Sequence, residues 1–473
     1  ERGGDISVTA KQLFAVNSQL VTQTNLTSGG KVAVTGDVIE FTNGSSVVSS
    51  TGGDGHAGPI TIRASDHIGL LRGSLSDRPS GIFSNSFGTF GTLGNAGDIA
   101  LITPRLEITG GARINTTTAT SGRGGNVTIH ATDSISMSGE TGGFSPEPLF
   151  SLGSLQPSGI FTLTIGGNCS GPCGNAGNVS ISTSALTMGS GAQINSGTSS
   201  TGQGGNISIN AQDTIFINGR LSNGQPAGML SRTVATTSDS GQGGDISLSA
   251  GQSVTLSNGA AISASSTGPA NAGNIAINAG AQFLSQNAAV TTEASQASGG
   301  NILIQATDSI RLVNGQINTS VQGGPTTSGG NIILDPAVVT LQNSQVLAQA
   351  VQGQGGNINI TAGTFLADPA SIVSASSQFG LSGTVTIQSP VSSLSNTLAT
   401  LPQRPLQAQP LLRQRCAAQL DGHLSSFVVA GRDALPHEPG GWLLSPLTAI
   451  ADNTHGPQAL GVPHHGYEQP ARE

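Results

Sequence analysis

Hydrophobic and polar residues alternate along most of the chain in short runs that return at nearly regular intervals. The runs "NVTIH" at 126–130, "NISIN" at 206–210 and "NILIQ" at 301–305 each place two apolar residues two positions apart. Alternation with a period of two is typical of a β-strand that buries one face. A second such run follows each of them, as in "SISM" at 134–137, and a third carries one apolar residue among polar ones, as in "GARINTTT" at 111–118. This pattern predicts three short strands per repeat.

The repeat is defined by a glycine, an anchor residue and then an apolar residue at alternate positions. Ten of the thirteen anchors are Asn or Asp, and the full set is Asp5, Lys31, Pro59, Asp98, Asn126, Asn178, Asn206, Asp245, Asn274, Asn301, Asn331, Asn357 and Thr384. One repeat cannot bury its apolar face alone, but stacked repeats can, with like strand over like strand. We therefore predict an all-β chain that forms a right-handed parallel β-helix of about thirteen coils, three strands per coil, followed by a mostly irregular C-terminal tail.

The anchor asparagines should form one column along this β-helix. Stacked asparagine side chains can hydrogen-bond along the stacking axis, and the glycine before each of them permits a tight corner. We interpret the column as structural. The predicted corner ladder consists of Asn126, Asn178, Asn206, Asn274, Asn301, Asn331 and Asn357.

Three repeats are longer than the others. Their anchors are separated from the next by 39, 52 and 39 residues, in coils 3, 5 and 7, with shorter coils between them. The extra residues form insertions at 71–80, 140–158 and 219–227. Because these insertions recur on alternate coils, they should emerge on one flank of the solenoid, about 10 Å apart. The apolar residues of the middle one suggest either a contact site or a lid over a coil edge; these candidates are Phe144, Leu149, Phe150 and Leu152.

Composition narrows the functional classes. Charged residues make up 9% of the chain and aromatic residues 3%, and the net charge is −8 from 25 acidic and 17 basic residues. Nucleic-acid binding requires clustered Lys and Arg, so we expect no nucleic-acid partner. No stretch of the sequence is apolar for long enough to predict a membrane-spanning helix.

Catalysis is the main rival interpretation, because parallel β-helices also carry polysaccharide lyases and hydrolases. An acidic column is present before the second strand, at Asp66, Asp133, Asp213 and Asp308. An Asp at such a turn usually caps its own backbone. Sugar subsites also favour aromatic stacking, and the single Trp and single Tyr lie outside the repeats. We expect no enzymatic activity, cofactor or metal; the alternative is a β-helix polysaccharide lyase or glycoside hydrolase.

The three cysteines allow one structural prediction. Cys169 and Cys173 lie close together in "GNCSGPCGN" at 167–175, and Cys416 stands alone. The pair provides too few ligands for a zinc site. A small loop disulfide formed in an oxidising compartment is the preferred interpretation; a pair of unbonded structural thiols is the alternative.

The Gly-Gly-Asn anchor and the coils of 26–30 residues resemble the large exoproteins of the filamentous haemagglutinin type, which are secreted adhesins of the two-partner secretion pathway. This resemblance covers residues 1–390. The segment "RCAAQLDGHLSSFVVAGRDALPHEP" at 415–439 is similar to the closing segment of many such proteins, especially cyanobacterial ones. The matching residues are Cys416, Ser425, Ser426, Phe427, Gly431, Arg432, Leu435 and Pro436, whereas Asp433 and Ala434 replace a frequent Gly-Gly.

The resemblance implies a role in cell adhesion, in the extracellular space or at the cell surface in association with the outer membrane. It also implies an outer-membrane two-partner transporter during secretion, and contact with a host, neighbouring-cell or matrix surface, glycans included. The family's N-terminal secretion domain, with its Asn-Pro motifs, is not seen near residue 1. We therefore expect the chain to be the shaft and C-terminal portion of a longer adhesin-like protein.

The domain boundaries follow from these patterns. Residues 1–390 form the repeat domain, and 391–410 are a Pro- and Ser-rich linker. Residues 411–447 contain the segment that resembles the family's closing segment, and they are predicted to contain a short helix at 411–420 and a strand in "SSFVVAG" at 425–431. Residues 448–473 are expected to be disordered.

Overall fold

The computed structural model describes residues 3–24, 26–71, 79–88, 93–142, 155–165, 169, 173–234, 240–392, 418–420 and 423–425. The chain divides into two units, Glu1–Leu398 and Ala399–Glu473. All regular secondary structure in the described residues is β-strand. The first unit is a parallel β-solenoid, as predicted, and its coils are numbered 1 to 13 below by their anchor residues.

The first two strands of every coil lie in one large sheet of 20 strands. Coils 2 to 7 each contribute a single long strand, whereas coil 1 and coils 8 to 13 contribute two short ones. Its members are β1 (Ile6–Thr9), β2 (Gln12–Val16), β4 (Val32–Thr42), β6 (Ile60–Leu71), β8 (Ile99–Thr109), β10 (Val127–Ser138), β14 (Val179–Gly189), β16 (Ile207–Asn218), β18 (Ile246–Ala250), β19 (Ser253–Ser257), β21 (Ile275–Asn278), β22 (Gln282–Gln286), β24 (Ile302–Gln305), β25 (Ser309–Val313), β27 (Ile332–Asp335), β28 (Val338–Gln342), β30 (Ile358–Thr361), β31 (Thr364–Ala367), β33 (Val385–Gln388) and β34 (Val391–Ser392).

The third strands form a second sheet of 12 strands. They are β3 (Gln19–Thr24), β5 (Ser46–Thr51), β7 (Gly81–Phe83), β9 (Arg113–Asn115), β13 (Gly159–Phe161), β15 (Gln193–Asn195), β17 (Gly228–Leu230), β20 (Ala261–Ser263), β23 (Ala289–Thr291), β26 (Gln316–Asn318), β29 (Gln345–Leu347) and β32 (Ile372–Ser374). Thirteen first strands but only 12 third strands give about twelve complete turns, slightly fewer than the thirteen coils expected. At about 4.8 Å per turn, the stack measures roughly 60 Å.

Like strands pair with like strands in the predicted register. The residue after each anchor pairs with its counterpart in the next coil, in the unbroken column Ile6, Val32, Ile60, Ile99, Val127, Val179, Ile207, Ile246, Ile275, Ile302, Ile332, Ile358 and Val385. From Val32 to Ile358 these side chains are at most 1% exposed. Each such burial stabilises the fold by about 1.5–3 kcal/mol relative to exposure, so the column is a continuous hydrophobic core.

In the second unit, the helix expected at 411–420 is not found where that segment is described. Ala418–Leu420 forms strand β35 and pairs antiparallel with strand β36, His423–Ser425. The Asp-Gly step between these strands in the sequence favours a two-residue hairpin turn, which accounts for the difference. The other residues of 411–447, including Cys416, and the predicted tail 448–473 lie outside the described residues, as does the linker apart from Val391–Ser392 of β34.

Candidate contact surface

The anchor asparagines lie in one column and are joined by hydrogen bonds. The side-chain oxygen of each accepts a hydrogen bond from the backbone N–H of the next anchor, as in Asn178 to Asn126 and Asn206 to Asn178. This contact repeats from Asp98 to Thr384 at 2.7–3.0 Å. All seven residues of the predicted corner ladder belong to it. The side chains bond mainly to backbone groups, and less often to each other.

The glycine before each anchor is required because adjacent coils approach closely at this corner. A Cβ atom on Gly205 would overlap the carbonyl oxygen of Gly177 in the coil below. That same oxygen accepts hydrogen bonds from the buried hydroxyl groups of Thr162 and Ser196, both at 2.6 Å. Buried hydroxyl groups that follow the third strand therefore hydrogen-bond to the glycine carbonyl at the corner where the next coil begins.

The insertion 219–227 of coil 7 folds back over the coil below it. Arg220 and Pro226 form an antiparallel bridge at its base. Leu221 is only 3% exposed and lies where a side chain on Gly191 of coil 6 would otherwise project. This part of the insertion acts as a lid over a coil corner.

The base of the insertion 140–158 of coil 5 also lies over the coil below it. Strands β11 (Glu140–Gly142) and β12 (Leu155–Pro157) form an antiparallel hairpin at its base. Thr141 occupies the space above Gly111 of coil 4. The four candidate contact residues Phe144, Leu149, Phe150 and Leu152 lie outside the described residues, as does 72–78 of the first insertion.

The insertions of coils 5 and 7 meet each other. The backbone N–H of Ser222 lies 3.1 and 3.3 Å from the two carboxylate oxygens of Glu140, although 82 residues separate them in the chain. These two insertions therefore lie on the same flank of the solenoid and contact each other there. We call their described part, 140–142, 155–157 and 219–227, the insertion flank.

A small apolar cluster follows the insertion of coil 5, outside the main core. It contains Phe161, Leu163 and Ile165, which are at most 3% exposed. The guanidinium of Arg113 lies 4.8 Å from the centre of the Phe161 ring, within the range of a cation–π contact. These side chains alternate with the inward-facing Ile160, so this segment is buried on both faces. Sequence reasoning missed the cluster because outward positions were assumed to be solvent-exposed.

Three of the four residues of the acidic column lie at β-bulges rather than at turns. In the pairing of coils 5 and 6, Thr132 and Asp133 together oppose the single residue Ser184. Corresponding irregularities accompany Asp66 in coil 3 and Asp213 in coil 7, whereas the strands on either side of Asp308 stay in register with their neighbours. The first three acidic residues therefore occupy the extra position of alternate coils.

The partners of these carboxylates are local. Asp66 forms an ion pair with Arg105 of the next coil, and the neighbouring His67 lies 2.9 Å from Glu40. Asp133 accepts a hydrogen bond from its neighbour Thr132 at 3.0 Å. Exposed contacts of this kind are worth at most about 1 kcal/mol. The Asp66 and His67 contacts join adjacent strands, whereas the Asp133 contact lies within one strand.

Shifted pKa values are scattered and do not form a cluster. Burial lowers the pKa of Arg232 in coil 7, and burial raises the pKa of Glu293 in coil 9. A hydrogen bond from the Ser371 side chain lowers the pKa of Asp368 in coil 12. Within the described ranges, no three His, Cys, Asp or Glu residues lie close enough to hold a metal ion.

The two neighbouring cysteines are joined. Cys169 and Cys173 form a disulfide, and the backbone N–H of Cys173 donates a hydrogen bond to the Thr201 side chain at 2.7 Å. The disulfide links two positions of the segment that precedes the anchor Asn178. A search of the described residues finds no helix of the length and hydropathy required to cross a membrane.

The geometry thus provides a regular solenoid, a hydrogen-bonded corner ladder and one insertion flank. Comparisons with protein-family models, with curated proteins and with solved structures give no match to this chain. The likeness to the filamentous haemagglutinin-type exoproteins accordingly stays a prediction that depends on the repeat and tail residues quoted above.

Proposed function

We propose that this chain is the shaft of a secreted or cell-surface adhesin-like exoprotein that mediates cell adhesion, and that the insertion flank is its contact surface. The observation that carries the proposal is the meeting of two insertions at Glu140 and Ser222 on an otherwise regular solenoid. In this proposal the chain is an interaction protein and not an enzyme.

A solenoid of this kind is suited to act as a shaft. Within the core, each coil packs against the coils next to it, so the core extends without a size limit. Nearly every strand is paired on both sides by another coil, which leaves few edges open to unrelated chains. A stack of roughly 60 Å would hold a contact surface away from the cell that displays it.

The low charge of the chain suggests how it would bind. Charged residues are 9% of the sequence, so long-range electrostatic attraction is weak and binding should depend little on salt. Many copies that each bind weakly would adhere through multivalency. Export by an outer-membrane two-partner transporter and a location at the cell surface are further parts of the proposal, supported by the family resemblance.

A loop replacement tests the contact surface. Gly142 and Leu155 are paired at the end of the β11–β12 hairpin, so residues 143–154 can be replaced by Asn-Gly, which favours a two-residue turn. The variant keeps Glu140 and Thr141 but removes all four candidate apolar residues. We expect it to fold with unchanged thermal stability and to lose adhesion to cells or matrix by about tenfold or more, as expected when central apolar anchors are removed.

The matched control shortens a corner in the regular part of the solenoid. Deletion of residues 323–325 would reduce coil 10 from 30 to 27 residues, the length of coils 9 and 12. This variant should adhere as the parent does. Unchanged adhesion by a folded 143–154 variant would contradict the proposed contact surface.

A further inference from the structure

A polar groove runs along the corner ladder from coil 5 to coil 9, with a cavity volume of about 500 Å³. One wall is the ladder itself, represented by Asn178 and Asn206. The other wall consists of the residues three positions earlier, such as Asn175, Gln203 and Gln242. Glycine and alanine residues lie between the walls. We call this feature the amide groove.

The amide groove presents several side-chain hydrogen-bonding groups that the fold does not use. The ladder occupies the side-chain oxygens of Asn178 and Asn206. In the part of the chain that is described, the side-chain NH2 groups of these two residues and the side-chain amides of Gln203 and Gln242 contact no hydrogen-bond partner. The neighbouring equivalents are partly used, because the side-chain NH2 groups of Asn126 and Asn274 donate to Asp98 and Asp245. The unused groups therefore lie at the corners of coils 6 to 8, which are about 4.8 Å apart.

Long side chains form the outer wall of the groove. The same position is occupied by Ser298 in coil 9 and by Ser328 in coil 10, at the corners that lead to Asn301 and Asn331. The ladder continues unchanged through those corners, but neither serine lines the groove. Gln203 and Gln242 are therefore dispensable for the ladder and specific to the groove.

The lining indicates the chemistry of a ligand. It contains one cation, Arg123, and one anion, Asp245, so no charged polymer is favoured. A peptide bound as an additional strand would require an open sheet edge, and here the first strands are paired with coils on both sides. Amide groups that both donate and accept match the hydroxyl groups of a neutral sugar, and the repeat along the axis matches an extended polymer.

We propose that the amide groove binds an extended, neutral polysaccharide lying along the solenoid axis. The inference extends the proposed adhesion function to a second site, because the groove precedes the first strand of each coil whereas the insertions follow the second. No aromatic ring lines the groove, so each sugar is held weakly and affinity depends on the number of coils engaged. Affinity should rise with oligosaccharide length until the five coils are spanned.

The test is calorimetric titration of the full chain with neutral β-1,4-linked glucose and N-acetylglucosamine oligomers of increasing length. An oligogalacturonate and an unstructured Ser/Gly-rich peptide are the comparison ligands. Replacement of both Gln203 and Gln242 by Ser copies the corners at Ser298 and Ser328 and should leave thermal stability unchanged. This double variant should weaken binding of the longest neutral oligomer by about tenfold, the loss expected for two hydrogen bonds.

Gln354→Ser is the matched control, because Gln354 occupies the same position of a coil beyond the groove. It should bind as the parent does. The proposal is overturned if no neutral oligomer binds, if the double variant binds like the parent, or if the peptide or the acidic oligomer is preferred. Measuring cell adhesion of the same variants separates the two proposals. If adhesion is lost on replacement of 143–154 but not in the Gln203/Gln242 double variant, the insertion flank is supported as the adhesive surface, whichever ligand the groove binds.

Discussion

Coils 2 to 7 and coils 8 to 12 form the same core, but their strands are divided differently. In coil 5 the first two strands are the single strand β10, Val127–Ser138, whereas in coil 9 they are separate strands, β21 (Ile275–Asn278) and β22 (Gln282–Gln286). The separation in coil 9 falls at Gly280, whose φ of 60° breaks the extended conformation. The inward residues nevertheless pack alike, since Ile129 and Ile277 are each 1% exposed.

The exteriors of the two regions differ much more. The three bulges and the three long insertions all belong to coils 3, 5 and 7, while the longest of coils 8 to 12 has 30 residues. Because the core is constant, residues can be added outside it at little cost. In the proposed function, the variable region therefore carries the contact surface and the uniform region serves as scaffold.

The largest expected effect tests whether the two cores are equivalent. Asp in place of Ile209 in coil 7, or of Ile277 in coil 9, would place an unpaired charge in the core and should lower stability by about 3–5 kcal/mol in both regions. Urea denaturation followed by circular dichroism measures this. Ser208→Asp, at the adjacent exposed position, is the control. A large effect in one region alone would show that the cores are not equivalent.

A smaller effect is expected at the anchor glycines. Gly205→Ala would force a methyl group against the Gly177 carbonyl and should lower stability by about 1–3 kcal/mol. Gly189→Ala is the control, because a Cβ atom there would meet no other atom within 4 Å; its effect should be within about 0.5 kcal/mol. Equal unfolding midpoints for the two variants would refute the close approach of coils at this corner.

The corner ladder should contribute equally in both regions. Asn206→Ala leaves the backbone N–H of Asp245 without its acceptor, and Asn331→Ala does the same to Asn357. Each should lower the free energy of unfolding by about 1 kcal/mol, the value of an ordinary hydrogen bond. The comparison is made by chemical denaturation with Gln203→Ala as the control. A stability loss in Asn331→Ala alone would mean that the ladder contributes no stability in the coils that carry the insertions.

The smallest effect concerns the contact between insertions. Glu140→Ala removes the acceptor for Ser222 and should change global stability by no more than about 0.5 kcal/mol. Local opening should nevertheless increase proteolytic cleavage within 219–227. Glu140→Gln retains an acceptor oxygen and should resist cleavage as the parent does. Identical cleavage rates for the parent and Glu140→Ala would contradict a joined insertion flank.

The parts of the fold that repeat were predictable from the sequence. The anchor pattern placed residues such as Ile207 and Ile302 in one column because period-two alternation and a fixed preceding glycine are local signals. The disulfide between Cys169 and Cys173 followed from their proximity in the chain. Each of these features depends on residues that are close in sequence or identical from coil to coil.

The parts that were missed depend on contacts between distant residues. The lid formed by Leu221 over Gly191 cannot be inferred from either residue alone. The bulges had an available signal, since Val127 and Ile135 are eight positions apart while Val179 and Leu186 are seven apart. In the tail, local helix preference was outweighed by the Asp-Gly turn signal between β35 and β36.

Footprinting of the bound protein tests most directly whether the variable region makes the contact. The full chain, labelled by hydroxyl radicals on a cell monolayer and in solution, is compared peptide by peptide by mass spectrometry. We predict protection on binding at 140–157 and at 219–227, and unchanged labelling of the exposed side chains between Ile302 and Leu347. Protection confined to those later coils, with none on the insertion flank, would contradict the division into contact region and scaffold.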